Sequence, residues 1–240
     1  MSKYCIVNVD DFGISHGVNR AVVEAHRAGV VTSASLMVNG AAVDEAVALA
    51  RSHSALSVGI HDNFTNEGGP PIVDLDDADA GRAELERQME RFESLMRRSP
   101  SHLDSHHHVH RRATLAPVFA SAAEAAGIPL RERSAVRWVG SFYGAWDGET
   151  HPEQISIESL TRILGSLEPG VTEVSTHVGY VDPSLQTDYH AERELELATL
   201  LDPRLPEIIE SLGIGLVSYE NVELIGSDRD GVDADRAGRS

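Results

Sequence analysis

The chain has 240 residues, a formal net charge of −18 and a single cysteine, Cys5. Surfaces that bind nucleic acid or anionic membranes need clusters of Lys and Arg, so this acidic balance argues against both classes of partner. One cysteine excludes an internal disulfide. The N-terminus carries one Lys before a short apolar stretch that Asn8 and Asp10 interrupt, which fits neither a signal peptide nor a membrane span. We therefore expect a cytoplasmic protein.

Hydrophobic residues make up 41% of the chain and charged residues 24%, which are ordinary values for a globular protein with a sizeable core. The length suits one α/β barrel or two small domains, and we favour a single domain over residues 1–225. The tail from 226 to 240 contains Gly, Asp and Arg with almost no apolar residues, so we expect it to be frayed.

Hydrophobic periodicity and chain breakers predict that strands and helices alternate. In the first half we predict strands at 4–9, 31–38 and 56–61, helices at 15–29, 41–53 and 84–98, and a long loop at 63–79. In the second half we predict strands at 101–106, 128–133, 171–177 and 214–219, helices at 115–126, 157–167, 191–201 and 205–212, and irregular segments at 138–154 and 182–190. This alternation predicts an α/β fold with a (β/α) barrel-like sheet, distorted or seven-stranded.

Carboxylates and imidazoles lie at the carboxyl ends of four of the predicted strands. The segments are Asp10-Asp11-Phe12-Gly13, Gly59-Ile60-His61, His102 to His110, and Ser175-Thr176-His177. Ligand sites in parallel α/β folds lie at the carboxyl ends of strands, so we expect these side chains to meet. Oxygen and imidazole ligands without a set of thiolates indicate a hydrolytic divalent metal, not structural zinc or an iron–sulfur centre.

The adjacent acids Asp10 and Asp11 are costly to bury unless they bind a cation or are otherwise compensated. The alternative is that Asp11 caps the following turn while Asp10 is exposed. On a regular strand the two side chains face opposite ways, so both reach one site only if the chain bends there. Gly13 would permit such a bend.

The third segment holds five histidines within nine residues. His102, Asp104 and His106 would alternate on one strand face, and His108 and His110 would continue it if the strand persists. Such a tract is hard to explain by packing alone, although it could also bind metal adventitiously. Periodicity does not decide which imidazole is a ligand. Asp104 could orient a ligand through its second ring nitrogen.

Single histidines at strand ends, such as His61 and His177, are more often structural than functional. Gly59 would allow a close backbone approach near His61. If the fold brings His177 opposite a metal, its ordinary pKa suits proton donation to a leaving group near neutral pH.

In these motifs the chain resembles the YdjC/ChbG-type carbohydrate (chitooligosaccharide) deacetylases, a family that includes relatives associated with hopanoid biosynthesis. The matching segments, in family order, are 7–15, 17–19, 29–39, 59–61 and 102–110. The resemblance implies a (β/α) barrel-like fold and removal of N-acetyl groups from amino sugars.

Carried over residue by residue, the resemblance implies that Asp11, His61 and His106 are metal ligands and that Asp10 is the general base. It also implies one divalent cation, often assigned as magnesium in the family. Two imidazoles and one carboxylate suit zinc or another transition metal equally well. Arg131 occupies the position of the family's usual arginine and is expected to contact substrate.

The second half matches the family less closely. His177 is followed by Val178, where the family commonly has a His-Pro pair. The segment between His61 and His102 is short, so we expect part of the substrate-covering region of relatives to be trimmed.

The expected reaction is hydrolysis of an acetamide, with acetate and a free amino sugar as products. Asp10 would accept a proton from water, His177 would protonate the departing amine, and Asp104 would hold the ligand geometry. The expected partner is an acetylated amino sugar or oligosaccharide, and a homodimer is one expected assembly.

Two alternatives remain open. One is a metal-dependent hydrolase of another bond, a phosphoester or a cyclic amide; a phosphate substrate would need basic residues, which Arg111, Arg112, Arg131 and Arg133 could supply. The other is a noncatalytic sugar- or metal-binding protein. The second acid, Asp10, argues against it, because binding alone would not need that acid.

Overall fold

The structure, a computed structural model, describes residues 2–66 and 69–222, and the predicted frayed tail at 226–240 lies outside them. Strands and helices alternate along most of this part of the chain. The strands are β1 (Lys3–Phe12), β2 (Ser33–Leu36), β3 (Ser57–Asp62), β4 (Leu103–Ser105), β5 (Arg137–Val139), β6 (Ala145–Trp146), β7 (Glu149–Thr150), β8 (Gly170–Thr176) and β9 (Ile214–Leu216). The helices are α1 (His16–Arg27), α2 (Val43–Ser52), α3 (Ala78–Met96), α4 (Ala116–Ala126), α5 (Ile157–Ser166), α6 (Ala191–Leu200) and α7 (Leu205–Ser211).

A curled parallel sheet lies at the centre, with the strand order β4-β3-β2-β1-β8-β5. Strand β1 pairs with β8 on one edge, and on the other edge with β9 along its first half and β2 along its second. Leu103 of β4 also bridges to Leu130, so residues 130–137 connect one edge of the sheet to the other. The sheet is therefore an incomplete barrel, which confirms the predicted barrel-like α/β fold.

In strand β1, residues 4–9 are apolar except for Asn8, as expected of a strand covered on both faces, and the strand is buried from Cys5 onward. The main hydrophobic core lies between the sheet and the surrounding helices. Local signals fix the helix ends. The Ser15 hydroxyl accepts a hydrogen bond from the Val18 N–H (3.2 Å) at the start of α1, and Gly127, with φ of 65°, ends α4.

Several predicted boundaries were wrong. Of the strand predicted at 128–133, only Leu130 makes a bridge, and the segment predicted as irregular at 138–154 contains the antiparallel pair β6 and β7. Helix α3 begins earlier than predicted because Asp77 caps it, accepting hydrogen bonds from the N–H groups of Asp79 and Ala80. No helix in the described ranges is both long and apolar enough to cross a membrane.

The strand predicted at 101–106 spans Leu103–Ser105 and does not persist to His108 and His110. His107 and His108 adopt φ values of 52° and 51°, in the left-handed region. This conformation breaks the alternation of a strand, and residues 106–111 form a 3₁₀ turn instead.

Gly59 leaves room for the ring of His102. A Cβ atom at this position would lie 2.3 Å from His102 Nδ1, and that ring is buried, stacked on Tyr219 at 3.9 Å. We expect Gly59→Ala to lower the free energy of unfolding by about 1–3 kcal/mol, the usual cost of overpacking a core. Urea denaturation would measure the change.

The matched control is Gly165→Ala in α5, where a Cβ would meet no heavy atom within 4 Å. Because alanine favours helix over glycine, this variant should be unchanged or up to about 1 kcal/mol more stable. Equal effects at the two positions would contradict the proposed packing.

Candidate active site

Asp10 and Asp11 both reach one site because β1 bends at its carboxyl end. Asp11 has φ of 64°, and the register between β1 and β2 shifts between Val9 and Phe12. Left-handed backbone is tolerated by Asp better than by most residues. The bend that the adjacent acids require is therefore present, and it lies at Asp11 itself as well as at Gly13, where φ is 96°.

Asp11, His61 and His106 form a buried group whose ligand atoms all lie within 4.8 Å of one another. Asp11 Oδ1 is 3.2 Å from His61 Nε2 and 3.0 Å from His106 Nδ1. Among the described residues, no donor makes a hydrogen bond of good geometry to this Oδ1 atom. Two ligand atoms about 2.1 Å from an ion and at right angles to each other are separated by about 3.0 Å. These three side chains therefore fit one small divalent ion.

Asp104 fixes the ring of His61. Its Oδ1 lies 2.6 Å from His61 Nδ1, which turns Nε2 toward Asp11, as expected for the outer partner of a metal-bound imidazole. Burial would lower the pKa of His61, but Asp104 and Asp10 outweigh it and raise the pKa well above the ordinary value. In the metal-free protein these two carboxylates therefore favour the protonated imidazole.

A second group of potential ligands, Asp10, His61 and Asp104, lies beside the first. Both of its carboxylates are already paired with a cation, because the Arg131 guanidinium is 2.7 Å from Asp10 and 2.6 Å from Asp104. The first group is therefore the better metal site.

Arg131 is 1% exposed and binds Asp10 with two parallel hydrogen bonds, of 2.8 and 2.7 Å. Its Nε donates to Glu173 at 3.1 Å. Burial would raise the pKa of Asp10, but the guanidinium holds it below the ordinary value. We expected Arg131 to contact substrate. Its guanidinium is enclosed by carboxylates, so its charge acts on Asp10, and contact with substrate stays a prediction.

His177 follows β8 and faces Asp10, with Nε2 3.7 Å from Asp10 Oδ2. The rings of Tyr143 and Tyr189 flank it, with centroids 5.7 and 5.8 Å away. Burial lowers the pKa of His177 to about 4. At neutral pH this imidazole is neutral, so it can act as an acid only after it has gained a proton.

Helix α6 supplies two buried ionisable residues that the sequence alone did not identify as functional. Arg193 donates a 2.6 Å hydrogen bond to Asp11 Oδ2, and Glu196 accepts one of 2.6 Å from the His177 backbone N–H. The Tyr189 hydroxyl also donates to Glu196, and burial raises the pKa of this carboxyl to about 8. In the sequence, Arg193 and Glu196 lie three residues apart, a spacing that places both on one face of a helix.

The remaining histidines have different environments. His102 lies on Tyr219 and has a ring nitrogen 3.0 Å from the Ser101 hydroxyl, while His110 has one 2.6 Å from the Ser105 hydroxyl. Both are therefore held within the fold. His108 packs edge-on against Trp138, at 5.3 Å between ring centroids, and borders the cavity.

These groups open onto a cavity of about 560 Å³, within the usual range for ligand sites, about 300–1,000 Å³. Aromatic and polar side chains line it: Asp10, Asp11, His61, His106, His107, His108, Arg111, Trp138, Tyr143, Ser175, His177, Tyr189 and Arg193. Another cavity, of about 630 Å³, lies between α1, α2 and residues 180–183. Polar side chains there pair with each other, as His16 does with Glu45 at 2.7 Å.

Residues 4–211 match the family described as YdjC-like protein. The chain belongs to the YdjC-like family. This confirms the resemblance and extends it through the second half of the chain, to the end of α7.

Relatives cover nearly the whole length. A carbohydrate deacetylase of Geobacillus stearothermophilus is 37% identical over 91% of this chain and 98% of its own length. A chitooligosaccharide deacetylase of Serratia marcescens is 34% identical over 92% of this chain and 100% of its own length.

Solved structures share the fold. A protein from Enterococcus faecalis V583 superposes with a TM-score of 0.77 at 27% identity, covering 92% of this chain and 99% of that one. A family 4 carbohydrate esterase from Streptomyces lividans gives a TM-score of 0.58 at 15% identity, covering 92% of this chain and 95% of that one. At that identity the second likeness shows the fold alone.

Metal binding to the metal-free protein should release a proton, because His61 must lose the proton on Nε2 to become a ligand. Titration calorimetry with Zn²⁺ in buffers of different ionisation enthalpy would count the protons. The apparent affinity should also fall as the pH is lowered. If Zn²⁺ binds without releasing a proton, then His61 either is not protonated in the metal-free protein or is not a ligand.

Asp104→Asn tests the carboxylate that contacts the second ring nitrogen of His61. Removing the charged partner of His61 should weaken Zn²⁺ binding by about 10- to 100-fold and reduce the number of protons released. Asp79→Asn, an exposed acid on α3, is the matched control and should leave both quantities unchanged. Equal Zn²⁺ affinity in the two variants would contradict the role of Asp104.

Proposed function

We propose that the protein is a metal-dependent hydrolase that removes N-acetyl groups from an amino sugar or chitooligosaccharide and releases acetate. One observation carries the proposal. An ionised carboxylate, Asp10, stands beside a separate metal-binding group and faces the same cavity as His177. Membership of the YdjC-like family, with relatives named carbohydrate deacetylases, supports an acetylated sugar as the substrate.

Asp11, His61 and His106 are the residues that would hold the ion. The family resemblance favours Mg²⁺, whereas a donor set of two imidazoles and one carboxylate suits Zn²⁺ or another transition metal. A bound divalent ion would lower the pKa of a water molecule and stabilise negative charge on the acetamide oxygen.

Asp10 would act as the general base that accepts the proton from water. The Arg131 guanidinium keeps its carboxyl ionised at neutral pH, so it can receive a proton without first losing one. The same two hydrogen bonds fix its orientation. Asp10 would then hold the proton on the side of the cavity that faces His177.

His177 would supply the proton to the departing amine. Because its pKa is lowered to about 4, the imidazole is neutral before the reaction and must be charged during it. Asp10 Oδ2, which would carry the proton taken from water, lies 3.7 Å from His177 Nε2 and would be the source of this proton. Cleavage of the C–N bond then leaves the free amine, which carries the transferred proton, and acetic acid, which becomes acetate by releasing the second proton of the attacking water.

The cavity walls suit an uncharged sugar. Trp138 and Tyr143 present aromatic surfaces, and Tyr143 is 39% exposed. Of the arginines considered for a phosphate substrate, Arg111 borders the cavity, and its guanidinium is bound to Glu132 by hydrogen bonds of 2.6 and 3.0 Å. This pairing favours the acetamide over a phosphoester.

The reaction is tested with protein stripped of metal and then supplied separately with Mg²⁺, Zn²⁺, Mn²⁺ or Co²⁺. We expect acetate release from N-acetylglucosamine, diacetylchitobiose or longer chitooligosaccharides only after a metal is restored. Phosphate release from a phosphoester would support the alternative hydrolase. Tight metal binding with no product from either class would refute the proposal.

Two variants separate metal binding from proton transfer. His106→Ala should lose metal binding and activity together, whereas Asp10→Asn should keep the metal and lower kcat by about 10²- to 10⁴-fold, the usual contribution of a general base. Calorimetry and acetate release measure the two effects. His16→Ala, an exposed histidine on α1, is the control. Full activity in either test variant would refute the assignment.

A further inference from the structure

Arg193 holds one oxygen of the Asp11 carboxylate. The two oxygens of this carboxylate have different partners: Oδ1 faces His61 and His106, while Oδ2 accepts a 2.6 Å hydrogen bond from Arg193. Arg193 and Asp11 have buried side chains, 4% and 1% exposed. The hydrogen bond is therefore shielded from water. A charged hydrogen bond is stronger in such a buried environment than in water.

This arrangement determines how many ligand atoms Asp11 can provide. A carboxylate binds a metal through one oxygen or through both. With Oδ2 held by a guanidinium, Asp11 has Oδ1 left for the ion. Three protein ligands that provide one atom each leave coordination positions open, which a hydrolytic metal needs for water and substrate.

The position of Arg193 is itself constrained. Its carbonyl accepts a 3.1 Å hydrogen bond from the Gly179 N–H, and a Cβ at Gly179 would lie 3.0 Å from Arg193 Cδ. The absence of a side chain at Gly179 therefore lets α6 approach the barrel end. One turn along the same helix, Glu196 holds the backbone of His177.

We propose that Arg193 is a positioning residue that restricts Asp11 to one ligand oxygen and so keeps the metal centre open to water and substrate. The proposal rests on the metal site described above. It does not depend on which bond the enzyme cleaves.

The test uses Co²⁺, whose visible absorption falls as the coordination number rises. The full-length protein and Arg193→Met are loaded with Co²⁺ after metal removal, and their visible spectra are compared. In the variant Asp11 can bind through both oxygens, so we expect weaker visible bands. X-ray absorption of the Zn²⁺-loaded proteins should show about one additional oxygen ligand in the variant.

Arg162→Met, which replaces an exposed arginine on α5, is the matched control and should keep the wild-type spectrum. Circular dichroism and thermal unfolding establish that each variant is folded. If Arg193→Met does not fold, Arg193→Gln is judged by the same spectra, because its shorter side chain also removes the guanidinium from Oδ2.

An unchanged spectrum and an unchanged ligand count in a folded Arg193 variant would overturn the proposal. Failure of the wild-type protein to bind Co²⁺ or Zn²⁺ would refute the metal site itself. Neither readout uses a substrate, so a correct role for Arg193 remains visible even if acetate is never released.

Discussion

The ion cluster around Arg131 is the interaction on which the site depends. Three carboxylates, Asp10, Asp104 and Glu173, converge on one guanidinium inside the barrel. A buried ion costs several kcal/mol unless it is paired, so none of these acids could remain charged there alone. Through Asp10 this arrangement fixes the proposed base, and through Asp104 it orients a proposed metal ligand. The proposed base and the carboxylate that orients the proposed metal ligand are therefore both neutralised by Arg131.

Much of the barrel and part of the site could be predicted because their signals are local. Apolar runs that end in Asp or His mark the strands and their carboxyl ends, and the parallel fold places those ends together. Arg193 and Glu196 could not be found in this way. They lie on a helix of ordinary polar composition, and their partners Asp11 and His177 belong to distant strands. Only the packing of α6 against the barrel end reveals their roles.

The histidine segment shows a different limit. Strand periodicity places alternate side chains from His102 to His110 on one face, but the backbone leaves the extended region at His107. Consecutive left-handed residues without glycine cost of the order of 1–3 kcal/mol each and persist only where the surroundings impose them. The composition of the segment contains no sign of that turn. As a result, neighbouring histidines have separate environments, and His106 lies 3.0 Å from Asp11.

The pairing of β1 with both β8 and β9 has a consequence for synthesis of the chain. Asp11, His61 and His106 all belong to the first half of the sequence, whereas Glu173 and Arg193 follow much later. During synthesis on the ribosome, β1 cannot pair with β8 or β9 until residues more than 160 positions downstream have been made, as the pairing of Lys3 with Gly170 shows. Domains with such distant pairings fold slowly. The nascent chain therefore carries Asp11, His61 and His106 before Arg193, which pairs with Asp11, has been synthesised, and the buried site can form only after that residue.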